Sequence, residues 1–261
     1  MSETYLELLE KSLPHQSHKM YNVWKSYALD AIKRGRLIRE IVSEFIRIDG
    51  AKILDVGCGE GGISIALKEV ALQVIGLDID HLRVKRAKVR STEEGVDVDF
   101  IVADGLHMPF KERFFDIVIL SDIMEHVPSP KDLIEESRRV LKTKGIIYLQ
   151  APNKFSPYQI IHDGHYGLFG ITLLPRRIAK WYVTKIRKRT QNYDVFELPT
   201  IWSLKRLSQN YNFKIYDCSE KYYALNYKNK YSFKILWKIL LRYNPLKYLL
   251  IPTFVFIYKK L

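Results

Sequence analysis

The sequence predicts an α/β protein in which a mostly parallel β-sheet carries helices on both faces. Five short apolar runs alternate with helical patterns between residues 53 and 153, which favours parallel strands joined by crossover helices. Each run ends in polar residues, and ligands of such sheets lie at the carboxyl ends of the strands. The first run breaks directly into a glycine loop that a helical pattern follows.

The elements follow one another in a regular order. We predict strands at 53–56, 73–77, 98–103, 115–120 and 145–150, and crossover helices at about 81–91 and 131–142. An acid closes or follows the first three strands, at Asp55, Asp78 and Asp104. These carboxylates are therefore expected at one edge of the sheet.

The glycine loop predicts close contact between backbone and ligand. Gly57, Gly59 and Gly61 or Gly62 remove the Cβ atoms that would block a tight turn. The helix that follows presents free N–H groups and a partial positive charge. Gly57, Gly59 and Gly62 also fit a dinucleotide-binding pattern, which on its own is a weak signal.

Taken together, these motifs resemble the class I S-adenosylmethionine-dependent methyltransferases, of the methyltransferase type 11-like group. The motifs that carry the resemblance are Asp55–Gly61, Gly76-Leu77-Asp78, Ala103-Asp104-Gly105 with Met108-Pro109-Phe110, Phe114–Val118 and Val140–Gly145, and they cover about residues 50–153. The resemblance implies a Rossmann-like sheet of seven strands, closed by an antiparallel hairpin of strands at 213–216 and 253–258.

The resemblance also implies S-adenosylmethionine as cofactor and a role for each matching residue. The residues expected around its methionine part are Asp55, Gly57, Cys58, Gly59 and Ser121. Asp78 is expected to bind the ribose and Ile79 to pack on the adenine. Asp104 is expected to accept a hydrogen bond from the adenine amino group, with Gly105 and Leu106 adjoining. Cys58 is interpreted as a small residue that fits the loop.

A nicotinamide dehydrogenase is the rival interpretation of the glycine loop. Asp55 argues against it, because a carboxylate two residues before the first glycine would repel a pyrophosphate. The same carboxylate suits the amino group and sulfonium of S-adenosylmethionine. A further alternative is that the glycines only make tight turns. It does not explain why the first three strands each end in an acid.

We predict one methyltransferase domain with four parts. They are an N-terminal helical cap (1–48, with helices at 3–12 and about 20–47), a cofactor-binding core (50–153), a lid or substrate insert (154–198) and C-terminal helices with the strand hairpin (199–261). The insert concentrates His, Asp, Tyr and Gly in one loop, which is typical of a binding loop. Further helices are predicted at 178–189, at 199–211 with Thr200 as N-cap, and at 231–243.

Charge is divided unevenly along the chain. Residues 151–261 hold 20 of the 42 Lys and Arg but only 5 of the 29 Asp and Glu. Such a segment favours an anionic partner: a membrane surface, a phosphorylated substrate or, as the weaker alternative, nucleic acid. Two cysteines give no disulfide framework, and no run is long enough to span a bilayer. The expected location is the cytoplasm, with a peripheral position at the inner face of the membrane left open.

The expected reaction is O-methylation of a lipid-linked, saccharide or quinone-type small molecule. An oxygen acceptor needs a base, and the candidates are His126 after the fourth strand and His162, Asp163 and His165 in the insert. His126 and His165 are the two assigned as catalytic. Asp122, Glu125 and His126 resemble a Glu-x-x-Glu-His metal motif of some O-methyltransferases, with Asp122 in place of the first glutamate; no metal ligand is assigned. The alternatives are an RNA methyltransferase and a non-catalytic protein that binds S-adenosylmethionine.

Overall fold

A computed structural model describes residues 3–14, 18–226 and 244–261 of the chain. Seven strands form one sheet: β1 (Lys52–Val56), β2 (Gln73–Asp78), β3 (Asp99–Val102), β4 (Phe115–Ser121), β5 (Leu141–Pro152), β6 (Phe213–Asp217) and β7 (Thr253–Lys260). Their order is β3-β2-β1-β4-β5-β7-β6. Strands β1 to β5 pair in parallel, and β7 pairs antiparallel with β5 and β6. The predicted fold class is therefore confirmed.

The centre of the sheet is apolar on both faces, as a parallel sheet covered by helices requires. Ile53 and Leu54 of β1 and residues 117–120 of β4 are fully buried. The order places β1 and β4 side by side although they are far apart in sequence. The ends of these two strands form the crevice in which ligands of such sheets bind.

Helices cover both faces. Those of the described residues are α1 (Tyr5–Ser12), α2 (Tyr21–Leu29), α3 (Ala31–Val42), α4 (Gly62–Lys68), α5 (His81–Glu93), α6 (Pro130–Val140), α7 (Pro157–Ile161), α8 (Arg176–Trp181), α9 (Ile201–Asn210), α10 (Ser219–Asn226) and α11 (Asn244–Leu250). Thr200 caps α9 as predicted, because its side chain accepts a hydrogen bond from the Ser203 N–H. None of these helices is long and apolar enough to cross a membrane.

Three predicted helices have different bounds in the structure. The N-terminal pattern forms two helices, and Arg90 donates hydrogen bonds to the Ala28 and Leu29 carbonyls where α2 ends. Helix α6 ends at Val140 because Leu141 already belongs to β5, where it pairs with Phe115 of β4. In the insert, α8 ends at Trp181, and a π-helical turn over Tyr182–Ile186 follows it directly. The helix predicted at 231–243 lies outside the described residues.

Candidate functional site

The glycine loop joins the end of β1 to α4 and is fixed by backbone hydrogen bonds. The N–H groups of Gly57 and Cys58 both donate to the Leu77 carbonyl, at 2.7 and 2.9 Å. Gly57 has φ +71°, and a Cβ atom there would overlap Ile123. Gly59 has φ +52°, and a Cβ atom there would meet only the end of Arg83, at 4.0 Å. The loop therefore leaves open space at Gly59, where a ligand can approach the backbone.

Asp78 lies at the tip of β2 and is tied to this loop. Its Oδ2 accepts a hydrogen bond from the Gly59 N–H at 2.9 Å, and its Oδ1 accepts one from the Asp80 N–H. The next residue, Ile79, is 71% exposed, although the strand that precedes it is largely buried. A carboxylate beside an uncovered apolar side chain fits a ribose hydroxyl pair next to an adenine ring.

Asp104 follows β3 and lies at the same edge of the sheet. Its Oδ1 accepts a hydrogen bond from the Leu106 N–H at 2.9 Å, which shapes the turn after the strand. Gly105 lies against the core, since a Cβ atom there would come within 2.9 Å of Val56. The side chain of Asp104 stays partly exposed and can accept a further hydrogen bond.

Asp55 is buried beneath the glycine loop. Its Oδ2 accepts a 2.6 Å hydrogen bond from the Ser64 hydroxyl in the first turn of α4. Burial, with the Asp78 charge in addition, raises the pKa of Asp55 to about 6, against the opposing effect of the Ser64 hydrogen bond. A positively charged ligand above the loop would offset this cost of burying a carboxylate.

Ser121 and Asp122 end β4 beside the loop. The Ser121 hydroxyl is buried and has no hydrogen-bond partner among the described residues. Asp122 has φ 54°, and its Oδ2 accepts hydrogen bonds from the Tyr27 hydroxyl (2.7 Å) and the Gln150 amide (2.9 Å). Burial and the Glu125 charge raise the pKa of Asp122. An unpartnered hydroxyl at this point is consistent with a ligand that fills the crevice.

The N-terminal helices supply two residues to the site: Tyr27, which the sequence did not identify, and Arg34, one of the basic residues at 33–36 for which the sequence suggests contact with the carboxylate of the cofactor. Tyr27 of α2 reaches Asp122, and the Arg34 guanidinium of α3 stacks on the Tyr27 ring at 3.7 Å. Arg36 points elsewhere and pairs with Glu69. Of the basic residues at 33–36, Arg34 is thus the one beside Tyr27 and Asp122. Tyr27 gave no signal beyond its helical spacing.

The two histidines predicted as bases meet at one cluster. His126 and His165 have ring centroids 5.1 Å apart, and the donor atoms of Glu125, His126 and His165 all lie within 4.8 Å of one another. Glu125 is 1% exposed, and its Oε2 has no hydrogen-bond partner among the described residues. Asp122 is not part of this cluster, because Tyr27 and Gln150 hold its carboxylate.

Carboxylates give the two histidines different surroundings. His165 lies between Asp163 (3.6 Å) and Glu125 (3.8 Å). Burial lowers the pKa of His165, but these two carboxylates outweigh it and raise the pKa to about 10. His165 therefore carries a proton at neutral pH and cannot accept another. His126 is 3.5 Å from Asp194 through Nδ1, and its Nε2 is 4.0 Å from Glu125.

The insert reaches the cluster through a few fixed points. The Phe196 N–H donates to the Glu125 carbonyl at 2.7 Å, and the Lys154 N–H donates to the Pro199 carbonyl at 3.1 Å. Asp163 accepts hydrogen bonds from the N–H groups of residues 165, 166 and 168, which shapes the loop that carries His165. The insert thus brings His165 to the end of β4.

The core of the chain is similar to known methyltransferases. Residues 54–149 match a family model described as a methyltransferase domain. Among curated proteins, the ubiquinone biosynthesis O-methyltransferase of Pseudomonas entomophila is 33% identical over 115 residues, which are 43% of this chain and 49% of that protein. The protein of the same name from Xanthomonas euvesicatoria is 34% identical over 116 residues, 44% of this chain and 48% of its own. The chain spans about half the length of the curated relatives it matches.

Solved structures resemble the chain over most of its length. A SAM dependent methyltransferase from Aquifex aeolicus has a TM-score of 0.56 at 15% identity and covers 92% of this chain and 98% of its own. The PH0226 protein from Pyrococcus horikoshii has a TM-score of 0.57 at 17% identity, with 88% and 90% covered. At this identity the likeness shows the fold.

Proposed function

We propose that the whole protein transfers a methyl group from S-adenosylmethionine to an oxygen of a quinone-type or lipid-linked small molecule, because residues 54–149 match a family model described as a methyltransferase domain. The observation that carries the proposal is the crevice along the ends of β1, β2 and β4. It combines an open glycine loop, the Asp78 carboxylate beside the exposed Ile79, and the Ser121 hydroxyl, for which the described parts of the chain offer no hydrogen-bond partner. Ubiquinone biosynthesis O-methyltransferases among the relatives support a phenol-type acceptor.

The residues of the crevice fit S-adenosylmethionine. Asp78 would bind the ribose hydroxyls, Ile79 would pack on the adenine, and Asp104 would accept from its amino group, as charge-assisted and apolar contacts of these types allow. Gly59 would lie against the ligand without steric conflict, and Asp55 beneath the loop would balance its positive charge. When bound, the cofactor supplies the activated methyl group, so the protein mainly orients the acceptor and excludes water.

We propose His126 as the base that takes the proton from the acceptor oxygen. Its Nδ1 faces Asp194 and would hold its hydrogen there, which leaves Nε2 free to accept a proton. His165, which already carries a proton, would act as a fixed positive charge that draws an ionised acceptor oxygen toward the cluster. Glu125, whose Oε1 lies 3.8 Å from the His165 Nε2, would orient that ring.

A divalent cation is a second interpretation of the same cluster. Glu125, His126 and His165 offer one oxygen and two nitrogen donors within 4.8 Å of one another, a donor set that suits a first-row metal or Mg²⁺. Such an ion would lower the pKa of a bound phenol. Calorimetric titration with Mg²⁺ and Mn²⁺ separates the interpretations: binding that Glu125→Gln abolishes supports the metal, and the lack of any binding supports the ion-pair cluster.

The basic C-terminal half supports an acceptor held at an anionic membrane surface, with RNA as the alternative partner.

The test of the function is calorimetry with S-adenosylmethionine and NAD, followed by transfer of labelled methyl groups. We expect micromolar binding of S-adenosylmethionine, no binding of NAD, and methylation of a catechol that carries a short prenyl tail. Labelled RNA without labelled catechol would favour the RNA methyltransferase. S-adenosylmethionine binding without transfer to any acceptor would favour a non-catalytic binding protein.

A further inference from the structure

The insert has a small apolar core of its own, separate from the core of the sheet. Ala179 of α8 and Val183 of the turn after it are buried against Tyr166, Leu168 and Ile171. This contact fixes which side of α8 faces inward. The opposite side of α8 faces away from the protein.

The outward side of α8 is apolar at its centre. At about 100° per residue, Trp181 lies about 160° around the helix from Ala179. Trp181 is 56% exposed, and Ile178 beside it is 50% exposed. Three more exposed apolar residues precede the helix in the chain: Phe169, Leu173 and Leu174. We call Ile178 and Trp181 the outer face of the insert.

Positive charge surrounds the outer face. Residues 154–193 contain eight Lys and Arg and one acid, Asp163, which is 2% exposed. Arg177 and Lys180 flank Trp181 on α8, and no carboxylate in the described parts of the chain pairs with either of them. An apolar strip with unpaired cations at its edges is complementary to an anionic lipid surface, where Trp prefers the interface and each cation adds attraction.

We propose that the outer face of the insert docks onto an anionic lipid bilayer. Trp181 and Ile178 enter the interface between headgroups and acyl chains, while Arg177 and Lys180 contact the anionic headgroups. Because the insert also carries His165, docking would hold the acceptor side of the crevice near the bilayer. This last consequence rests on the proposed function, whereas the docking itself does not.

The test is sedimentation of the full-length protein with lipid vesicles. Wild type should bind vesicles of equal parts phosphatidylcholine and phosphatidylglycerol, and bind pure phosphatidylcholine at least about tenfold more weakly. The double variant Ile178→Ser/Trp181→Ser should lose at least about tenfold in affinity for the anionic vesicles. At low salt the double variant Arg177→Glu/Lys180→Glu should show a loss of affinity for the anionic vesicles of similar size. In high salt the difference in affinity between this variant and wild type should disappear, because salt screens the charges.

Leu72→Ser is the matched control. Leu72 is 60% exposed but precedes β2, at the opposite edge of the sheet, so its replacement should leave vesicle binding unchanged. Wild-type affinity for anionic vesicles in Ile178→Ser/Trp181→Ser would overturn the proposal, as would equal binding to the two kinds of vesicle. A dimer that this double variant splits, without vesicle binding by wild type, would assign the outer face to a second copy instead.

Two further measurements separate this proposal from the proposed function. S-adenosylmethionine affinity and methylation of a water-soluble catechol should be unchanged in Ile178→Ser/Trp181→Ser. Loss of vesicle binding with both retained would support the docking face. Failure of wild type to methylate any acceptor would count against the proposed function and leave the vesicle result standing.

Discussion

Replacing Gly59 by alanine tests the glycine loop as a cofactor cradle. Gly59 has φ +52°, a conformation that costs an alanine roughly 1–2 kcal/mol. The added Cβ meets no protein atom closer than the end of Arg83 at 4.0 Å, so the backbone cost is the whole expected loss in the free protein. In a chain of this size that corresponds to a fall of roughly 2–8 °C in Tm. The same Cβ would point into the space proposed for the cofactor.

Gly95→Ala is the control for the backbone cost. Gly95 has φ +67°, no atom lies within 4 Å of the position of its Cβ, and it follows α5 at the other end of β3. Both variants should lose similar stability, measured by urea unfolding. Calorimetry should then show at least about tenfold weaker S-adenosylmethionine binding, about 1.4 kcal/mol, in Gly59→Ala alone. Wild-type affinity in Gly59→Ala would refute the cradle, because the cofactor would then lie elsewhere.

Three more substitutions test individual side chains. Asp78→Ala should lower S-adenosylmethionine affinity at least about tenfold through loss of the ribose contact; unchanged affinity in calorimetry would rule out this role. Because the folded pKa of Asp55 (about 6) exceeds the unfolded value of about 3.9, stability should rise as pH falls from about 6 to about 4, by up to about 3 kcal/mol. Urea unfolding of Asp55→Asn should lack this rise, and an unaltered pH profile would show that another group titrates. His126→Ala should reduce kcat by about 10²–10⁴ with S-adenosylmethionine affinity kept, whereas the exposed His107→Ala should leave kcat unchanged; equal kcat values in the two variants would exclude His126 as the base.

The sequence was sufficient for the sheet because its signals are local. Each strand of the parallel half is a short apolar run with a polar end, and β1 breaks directly into the glycine loop. The break between α2 and α3 could not be predicted in this way. It coincides with hydrogen bonds from Arg90, about 60 residues further along the chain, and no local residue announces such a contact.

The site also contains residues that local motifs predict and residues that only distant contacts bring together. Asp55, Gly57 and Asp78 lie in contiguous motifs, and the structure brings them to one edge of the sheet as the pattern predicts. The acceptor side is assembled from distant segments: Tyr27 meets Asp122 across 95 positions, and His165 meets Glu125 across 40. Sequence spacing identified His126 and His165 as single candidates, but not their cluster or the proton that His165 retains.

The hydrogen bond between the Lys154 N–H and the Pro199 carbonyl has a consequence for how this protein could be altered. It closes the two ends of the insert on each other across 45 positions, so the intervening chain leaves the end of β5 and returns to the start of α9 at nearly one point. The entropy of closing a loop grows only slowly with its length. We therefore expect that the segment between these two residues can be exchanged as a cassette for one of different length, which would give the same cofactor half a new acceptor without refolding the sheet.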